Sequence, residues 1–125
     1  MEKQSVGKNA VAGLPFSAGV RSGDFLFVSG QGPIGKDGKV VSGDIQAQTR
    51  LTLENFRSVV RDAGMTMEDV VQVTVYLVDL ADYQGMNQVY KDEFPDPKPA
   101  RATVRADLLF GMKVEIQGIV IAHRS

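Results

Sequence analysis

The sequence predicts an α+β fold in which two helices pack on one face of a mixed β-sheet. Runs with strand character alternate with two stretches of helical spacing, in the order strand, strand, helix, strand, helix, strand, strand. Strand–helix–strand connections are right-handed, and two helices can cover only one face of such a sheet. The length of 125 residues and the apolar content of 43% predict a single domain over residues 1–125.

The first part of the chain predicts one short strand, one clear strand and a loop. Residues 1–13 are small and polar, which indicates a short edge strand or a loosely held arm. The strand Phe25–Ser29 enters an irregular loop that contains a tight turn at Asp37-Gly38. Gly30-x-Gly32-x-x-Gly35 resembles a dinucleotide fingerprint, but Pro33 and the turn stand where a helix should begin, so we interpret it as a loop.

The spacing of apolar residues predicts a long helix from Ile45 to Ala63. The apolar positions that define it are Leu53, Phe56, Val60 and Ala63. Ser42 or Asp44 is available as the N-cap, and Gly64 provides the C-terminal stop. This helix is expected to lie on the sheet.

A second strand–helix pair follows. Thr66–Asp69 resembles a capping-box turn, and the β-branched run Val70–Val78 predicts a central strand. Asp79 or Asp82 is expected to cap the next helix rather than to form an acid pair. Residues on one face of this helix are Tyr83, Met86, Asn87 and Tyr90, of which the two tyrosines and Met86 are predicted to pack in the core. Prolines at 95, 97 and 99 end the helix.

Arg101 and Glu115 are the residues that point to chemistry. In both of the last two strands the even-numbered residues are apolar or small, while the odd-numbered ones include these two charged side chains. Because strand side chains alternate between faces, we expect Arg101 and Glu115 to lie on the same non-core face, with Thr103 and Gln117. The pattern does not decide which strands are neighbours. A fixed cation and a single carboxylate suit the binding and conversion of a small carboxylic acid.

The same face is predicted to be covered by other copies of the chain. It would carry Ile119 and Ile121 beside the polar residues, a mixture that is too apolar for open water. A closed homo-oligomer with pockets at the subunit boundaries is therefore expected.

Composition restricts the classes of function. The chain has no cysteine and a single histidine, His123, which we expect at the surface, so a thiol nucleophile is excluded and no metal site is expected. The formal net charge is −1 with no basic stripe, which argues against nucleic acid as the main partner. Neither a signal peptide nor a membrane-length apolar run is evident, so a cytoplasmic protein with no membrane partner is expected.

Several segments together resemble the RidA (YjgF-like) family of imine deaminases. They are Leu14–Ser17, Val28–Gln31, Val73–Leu80, Asn87–Tyr90, the Pro-Ala-Arg run at 99–101 and the Val-Glu-Ile run at 114–116. The resemblance covers nearly the whole chain. It implies a chorismate-mutase-like α+β fold and a homotrimer with clefts between subunits.

The implied activity is hydrolysis of 2-imino acids and their enamine tautomers, such as 2-aminoacrylate, to 2-keto acids and ammonia without cofactor or metal. By the resemblance, Arg101 binds the substrate carboxylate and Glu115 positions or activates the attacking water. The other residues implied to line the pocket are Phe16, Ser29, Gly30, Asn87 and Thr103.

The chain departs from the family pattern at three points, and two other functions stay open. Phe16 stands where many members have a tyrosine, Asp107 replaces a small residue, and the link from Arg101 to Glu115 is about one residue short. Without the phenol, the pocket could belong to a sensor that binds a 2-keto acid. The third alternative is RNA cleavage, a label that some family members carry, although no histidine pair or basic stripe supports it.

Overall fold

The fold is a six-stranded mixed sheet with two helices on one face. A computed structural model describes residues 2–123. The strands are β1 Lys3–Val6, β2 Gly19–Ser22, β3 Phe25–Gln31, β4 Val70–Leu77, β5 Ala100–Arg105 and β6 Val114–Ile121, and the helices are α1 Ile45–Asp62 and α2 Tyr83–Tyr90. The strand order is β1-β2-β3-β6-β4-β5. Among the strand pairs of residues 2–123, β4–β5 is parallel and the others are antiparallel.

The predicted class and order of elements are confirmed, with one strand that the sequence analysis missed. The missed element is β2, whose four residues Gly-Val-Arg-Ser carry little intrinsic strand signal. Pairing holds it in place, because Gly19–Ser22 is hydrogen-bonded between β1 and β3. Of the two alternatives for the polar N-terminal segment, the structure shows the short edge strand, since Lys3–Val6 forms β1 at the edge of the sheet.

Helix α1 forms for the reasons that its sequence predicts. The Asp44 side chain accepts a hydrogen bond from the Ala47 amide at 2.9 Å, so Asp44 is the N-cap. Beyond the helix, Gly64 has a φ of +76°, a left-handed conformation that favours glycine. Leu53 and Phe56 are fully buried against the sheet, which fixes the helix over β3 and β6.

The second strand–helix pair agrees with the prediction except at one tyrosine. Thr66 and Asp69 form the capping box that precedes β4. Asp79 caps a short 3₁₀ turn at the start of α2 by accepting from the Ala81 amide. Met86 and Tyr90 are buried as expected, but the prediction of a core position for Tyr83 is wrong, since 43% of it is exposed.

The prediction that Arg101 and Glu115 share a face is also wrong. Val73 of β4, which is fully buried, pairs with Arg101 on one side and with Gly118 on the other. Glu115 instead pairs with Tyr76, three residues further along β4. Directly paired residues share a face and successive residues alternate, so Arg101 faces the helices while Glu115 faces the other way.

The error arises from strand pairing, which the alternation within each strand cannot reveal. In β6 the even-numbered residues are indeed core, but in β5 Ala102 and Val104 are exposed, while Arg101 and Thr103 are half-buried beneath the helix layer. Thr103 therefore joins Arg101 on the helix face, and Gln117 joins Glu115 on the opposite face.

The face away from the helices, here called the open face, is strongly apolar. Phe25 is 45% exposed, Phe27 48% and Ile121 36%, and the two phenylalanine rings stack with their centroids 6.2 Å apart. So much exposed apolar surface is typical of an interface. Its coverage by further copies of the chain stays a prediction.

Two other predictions concern the exposure of His123 and the loop that follows β3. His123 is exposed, as expected, and the segment after Gly30 is a loop with a turn at Gly38, whose φ is +81°. Within residues 2–123, neither helix has the length and hydropathy that a bilayer crossing requires.

We predict that Gly118→Ala destabilises the fold by roughly 1–3 kcal/mol, because overpacking forces backbone or ring shifts. A Cβ at Gly118 would lie 2.7 Å from the Gln72 carbonyl oxygen and 2.9 Å from Cζ of Phe56. Urea denaturation measures the effect. The control is Arg50→Ala, whose side chain is exposed on α1, and equal stabilities of the two variants would contradict the prediction.

Candidate functional site

The guanidinium of Arg101 is held by three side chains of α2. Its Nη1 donates to Oδ1 of Asn87 at 2.7 Å, and its Nη2 donates to the hydroxyl of Tyr83 at 3.2 Å. The ring of Tyr90 lies beneath it, with 4.6 Å between Cζ of Arg101 and the ring centroid. These contacts fix the orientation of the cation at the edge strand β5. We call Arg101 and its neighbours Asn87, Thr103, Tyr83 and Tyr90 the arginine half-site.

The charge of Arg101 has no carboxylate partner within the part of the chain that the structure describes. Ion pairs there join Arg57 to Glu93 and Lys98 to Asp96. All three α2 residues that contact Arg101 are neutral. A cation that is positioned but not neutralised is ready to accept an external anion, and a carboxylate matches its planar fork of donors.

Three hydroxyl groups near Arg101 add to the polarity of the arginine half-site. The hydroxyl oxygen of Thr103 is buried and has no hydrogen-bond partner among residues 2–123, so it is available to a ligand or to another chain. A hydrogen bond with Asn87 and the positive charge of Arg101 lower the pKa of the Tyr83 hydroxyl. Burial raises the pKa of the Tyr90 hydroxyl.

Glu115 lies in β6, next to the end of β3, and strand β4 separates it from the strand that carries Arg101. A Cβ on Gly30 would lie 2.6 Å from a carboxylate oxygen of Glu115, so a larger residue there would displace the Glu115 side chain from this position. Burial raises the pKa of the Glu115 carboxyl above its ordinary value. A carboxylate that is partly removed from water is a stronger base than an exposed one, which suits proton transfer.

Phe16 and Ser29 complete this second group, here called the glutamate half-site together with Glu115 and Gly30. The Ser29 hydroxyl donates to the Ser17 carbonyl at 2.6 Å, and the Asn9 side chain donates to the Phe16 carbonyl at 2.7 Å. These bonds hold the Phe16 backbone beside β3. Phe16, Gly30 and Glu115 line one cavity of about 210 Å³. In this chain Ser29 therefore positions the loop.

The residues implied by the resemblance thus fall into two groups rather than one. Arg101, Asn87 and Thr103 belong to the arginine half-site, whereas the other four belong to the glutamate half-site. Strand β4 lies between the strands that carry Arg101 and Glu115. Within one chain, the cation and the carboxylate are on opposite faces of the sheet.

Sequence reasoning missed two kinds of site residue. Tyr83 and Tyr90 were assigned to the core, although their helical spacing with Asn87 already placed all three on one face. The loop 109–112, which borders the cavity, carried no recognisable signal. Among residues 2–123, no cluster of three or more histidine, cysteine or acidic side chains has a geometry that could hold a metal ion.

Comparison with known proteins places this arrangement in a family. A family model described as Endoribonuclease L-PSP matches residues 7–122. The chain belongs to the RidA/L-PSP family. The mitochondrial protein mmf2 of Schizosaccharomyces pombe is 47% identical over 111 residues, which cover 86% of this chain and 87% of that protein. Its location differs from the cytoplasmic one predicted above, which stays a prediction.

Solved structures of this family superpose on the chain over almost its full length. RidA from an Antarctic Psychrobacter is 30% identical with a TM-score of 0.87, covering 94% of this chain and 98% of that one. TdcF of E. coli, solved with bound serine, is 34% identical with a TM-score of 0.86, covering 98% and 99%. These likenesses confirm the predicted RidA-like fold.

We predict that Glu115→Gln becomes more stable relative to the wild-type protein as the pH rises from about 4 to about 8. The ordinary pKa of this carboxyl is 4.5, and burial raises it in the folded state. The folded protein therefore binds this proton more tightly than the unfolded chain, and the wild type loses that stabilisation as the pH rises through the raised pKa. Glutamine does not titrate, so it avoids the loss.

Urea denaturation at several pH values measures this difference in the free energy of unfolding. Glu54→Gln, which changes an exposed carboxylate on α1, is the matched control. A difference between wild type and Glu115→Gln that is constant across the pH range would contradict the prediction.

Proposed function

We propose that this protein is a hydrolytic deaminase of 2-imino acids, of the 2-iminobutanoate/2-iminopropanoate type, that works as a homotrimer without metal or cofactor. The observation that carries the proposal is the Arg101 guanidinium, held by neutral side chains and paired with no carboxylate of residues 2–123. Family membership agrees with this reading, because the RidA fold is shared and TdcF, a relative, was solved with a bound amino acid.

Arg101 binds the carboxylate of the imino acid in this proposal. Its two terminal nitrogens are already directed by Asn87 and Tyr83, so little side-chain freedom is lost on binding. The buried Thr103 hydroxyl, which lacks a partner among the described residues, supplies one further polar group. Substrate is thereby held in one orientation relative to the general base.

Glu115 serves as that base. Its carboxylate takes a proton from water while the oxygen attacks the imine carbon, and the proton passes to the imine nitrogen as the C=N double bond becomes single. The carbinolamine that results loses ammonia when its hydroxyl proton is transferred to nitrogen, which leaves the 2-keto acid. Burial raises the pKa of Glu115, which makes its carboxylate a stronger base for taking the proton from water. General acid–base help of this kind contributes roughly 10²- to 10⁴-fold.

The two half-sites come together only if different copies of the chain supply them. Arg101 and Glu115 face opposite sides of the sheet within a protomer, with β4 between their strands. The open face, with Phe25 and Phe27 nearly half exposed, offers the apolar surface that an interface between copies requires. A closed ring of three copies then holds three equivalent clefts, each with Arg101 of one copy and Glu115 of the next.

We predict that Arg101→Ala and Glu115→Gln are each inactive alone and that mixed oligomers of the two recover activity. In random mixtures about one quarter of the clefts combine an intact arginine with an intact glutamate, so about one quarter of wild-type activity should return. Deamination of freshly generated 2-aminoacrylate, followed as ammonia or pyruvate, measures it. Light scattering on the same samples reports whether the mass is that of a trimer.

The control mixes Arg101→Ala with an Arg101→Ala, Glu115→Gln double variant, which offers no cleft with both groups. If neither mixture recovers deaminase activity although trimers form, one chain supplies the whole site. Full activity of either single variant would remove its residue from the mechanism.

We predict that Tyr83→Phe weakens binding of pyruvate, the keto-acid product, by roughly fivefold, because Arg101 loses one orienting hydrogen bond worth about 1 kcal/mol. Tyr83→Leu, which also removes the ring 5.6 Å from Cζ of Arg101, should weaken it further. Isothermal titration calorimetry measures both dissociation constants. Gln84→Ala, an exposed neighbour on α2, is the control, and three equal constants would contradict the prediction.

The two alternative functions, keto-acid sensing and RNA cleavage, would give different results in these assays. A sensor would bind the keto acid through the arginine half-site but would not accelerate imine hydrolysis above the spontaneous rate. RNA cleavage is the activity that the family description names. RNA degradation that survives both repeated purification and Arg101→Ala would favour it, although the chain has a single histidine and a net charge of −1.

A further inference from the structure

The glutamate half-site opens into a cavity whose wall is mostly apolar. The cavity measures about 210 Å³ and lies between the segment 8–16, the end of β3, α1 and the loop before β6. Apolar side chains that line it include Val11, Leu14, Phe16, Ile34, Phe110 and Met112. Glu115 supplies the carboxylate of the wall. The volume corresponds to about seven water molecules, enough for a side chain of several carbons but small for a larger ligand.

The loop 109–112 holds an aromatic ring at the mouth of this cavity at some energetic cost. Phe110 is 70% exposed, and its backbone has a φ of +60°, which bulky residues rarely adopt. Exposure of the ring and the left-handed backbone are both unfavourable, and the described chain offers no packing that offsets them. Such features concentrate where a ligand or partner contributes the missing contact.

We propose that this cavity receives the side chain of the substrate, so that the protein prefers 2-imino acids with branched or long apolar side chains over small or polar ones. The inference rests on the proposed function, because it takes the imine carbon to lie beside Glu115. From that point, a substrate side chain enters the cavity, where Phe16 and Phe110 border the opening and Met112 lies within. Each methylene buried there raises kcat/KM by roughly fourfold.

Matched substrates test the preference. Imines generated by an amino-acid oxidase from leucine and from asparagine have side chains of similar shape, of which only the first is apolar. The wild-type protein should hydrolyse the leucine-derived imine with a kcat/KM at least tenfold higher than the asparagine-derived one, and the alanine-derived imine should also be slower than the leucine-derived one. Equal values, or a preference for the asparagine-derived imine, would overturn the proposal.

The variant Phe110→Gly tests whether the preference for apolar side chains arises in this cavity. Phe110→Gly removes the ring and suits the positive φ, so the loop should fold. We expect it to lower the leucine-to-asparagine ratio of kcat/KM by roughly tenfold, which is near the lower end of the range for burying an apolar side chain. Leu80→Ser, which changes an apolar residue that is 52% exposed and does not line the cavity, should leave the ratio at the wild-type value. An unchanged ratio in Phe110→Gly overturns the proposal.

This experiment distinguishes a failure of the proposed deaminase function from a failure of the proposed apolar preference. Wild-type protein that accelerates none of the three imines would refute the proposed function itself. Acceleration of all three with no dependence on side-chain polarity would leave the deaminase in place and refute the apolar preference alone.

Discussion

The pairing register of β4 is the constraint on which the rest of the structure depends. β4 is parallel to β5 and antiparallel to β6, and its buried Val73 is directly opposite both Arg101 and Gly118. This register sends the arginine under α2 and the glutamate to the far side of the sheet. Because a shift by one residue would bury charged side chains in the core, the burial of β4 and β6 strongly fixes the arrangement.

Neither the Arg101 guanidinium nor the Glu115 carboxylate forms an ion pair within residues 2–123. Arg101 is oriented by an amide, a phenol and an aromatic ring, so its position is fixed while its charge stays available. Glu115 occupies the space left by Gly30, where partial burial raises the pKa of its carboxyl. A positioned cation and a desolvated base are complementary, and assembly of copies is the simplest way for one sequence to bring them together.

The exposed phenylalanine rings of residues 2–123 lie in two places, the open face and the border of the cavity beside Glu115. The open face presents stacked Phe25 and Phe27, while the cavity beside Glu115 is bordered by Phe16 and Phe110. The exposed area of an aromatic ring gains no hydrophobic stabilisation in an isolated chain. We assign the first surface to other copies and the second to substrate, since the second is concave and contains a carboxylate.

Local chemistry in the sequence determined the elements themselves. Asp44 as a cap, Gly64 as a stop, the spacing of Leu53 and Phe56 and the β-branched run of β4 all act within a few residues, so they can be read without the fold. The residues that share a face of the sheet with Arg101 are set by pairing between strands that are distant in sequence. Alternation within a single strand does not determine this pairing. Only the tertiary structure therefore separated Arg101 from Glu115, brought Tyr83 and Tyr90 to the guanidinium and formed the cavity beneath Phe110.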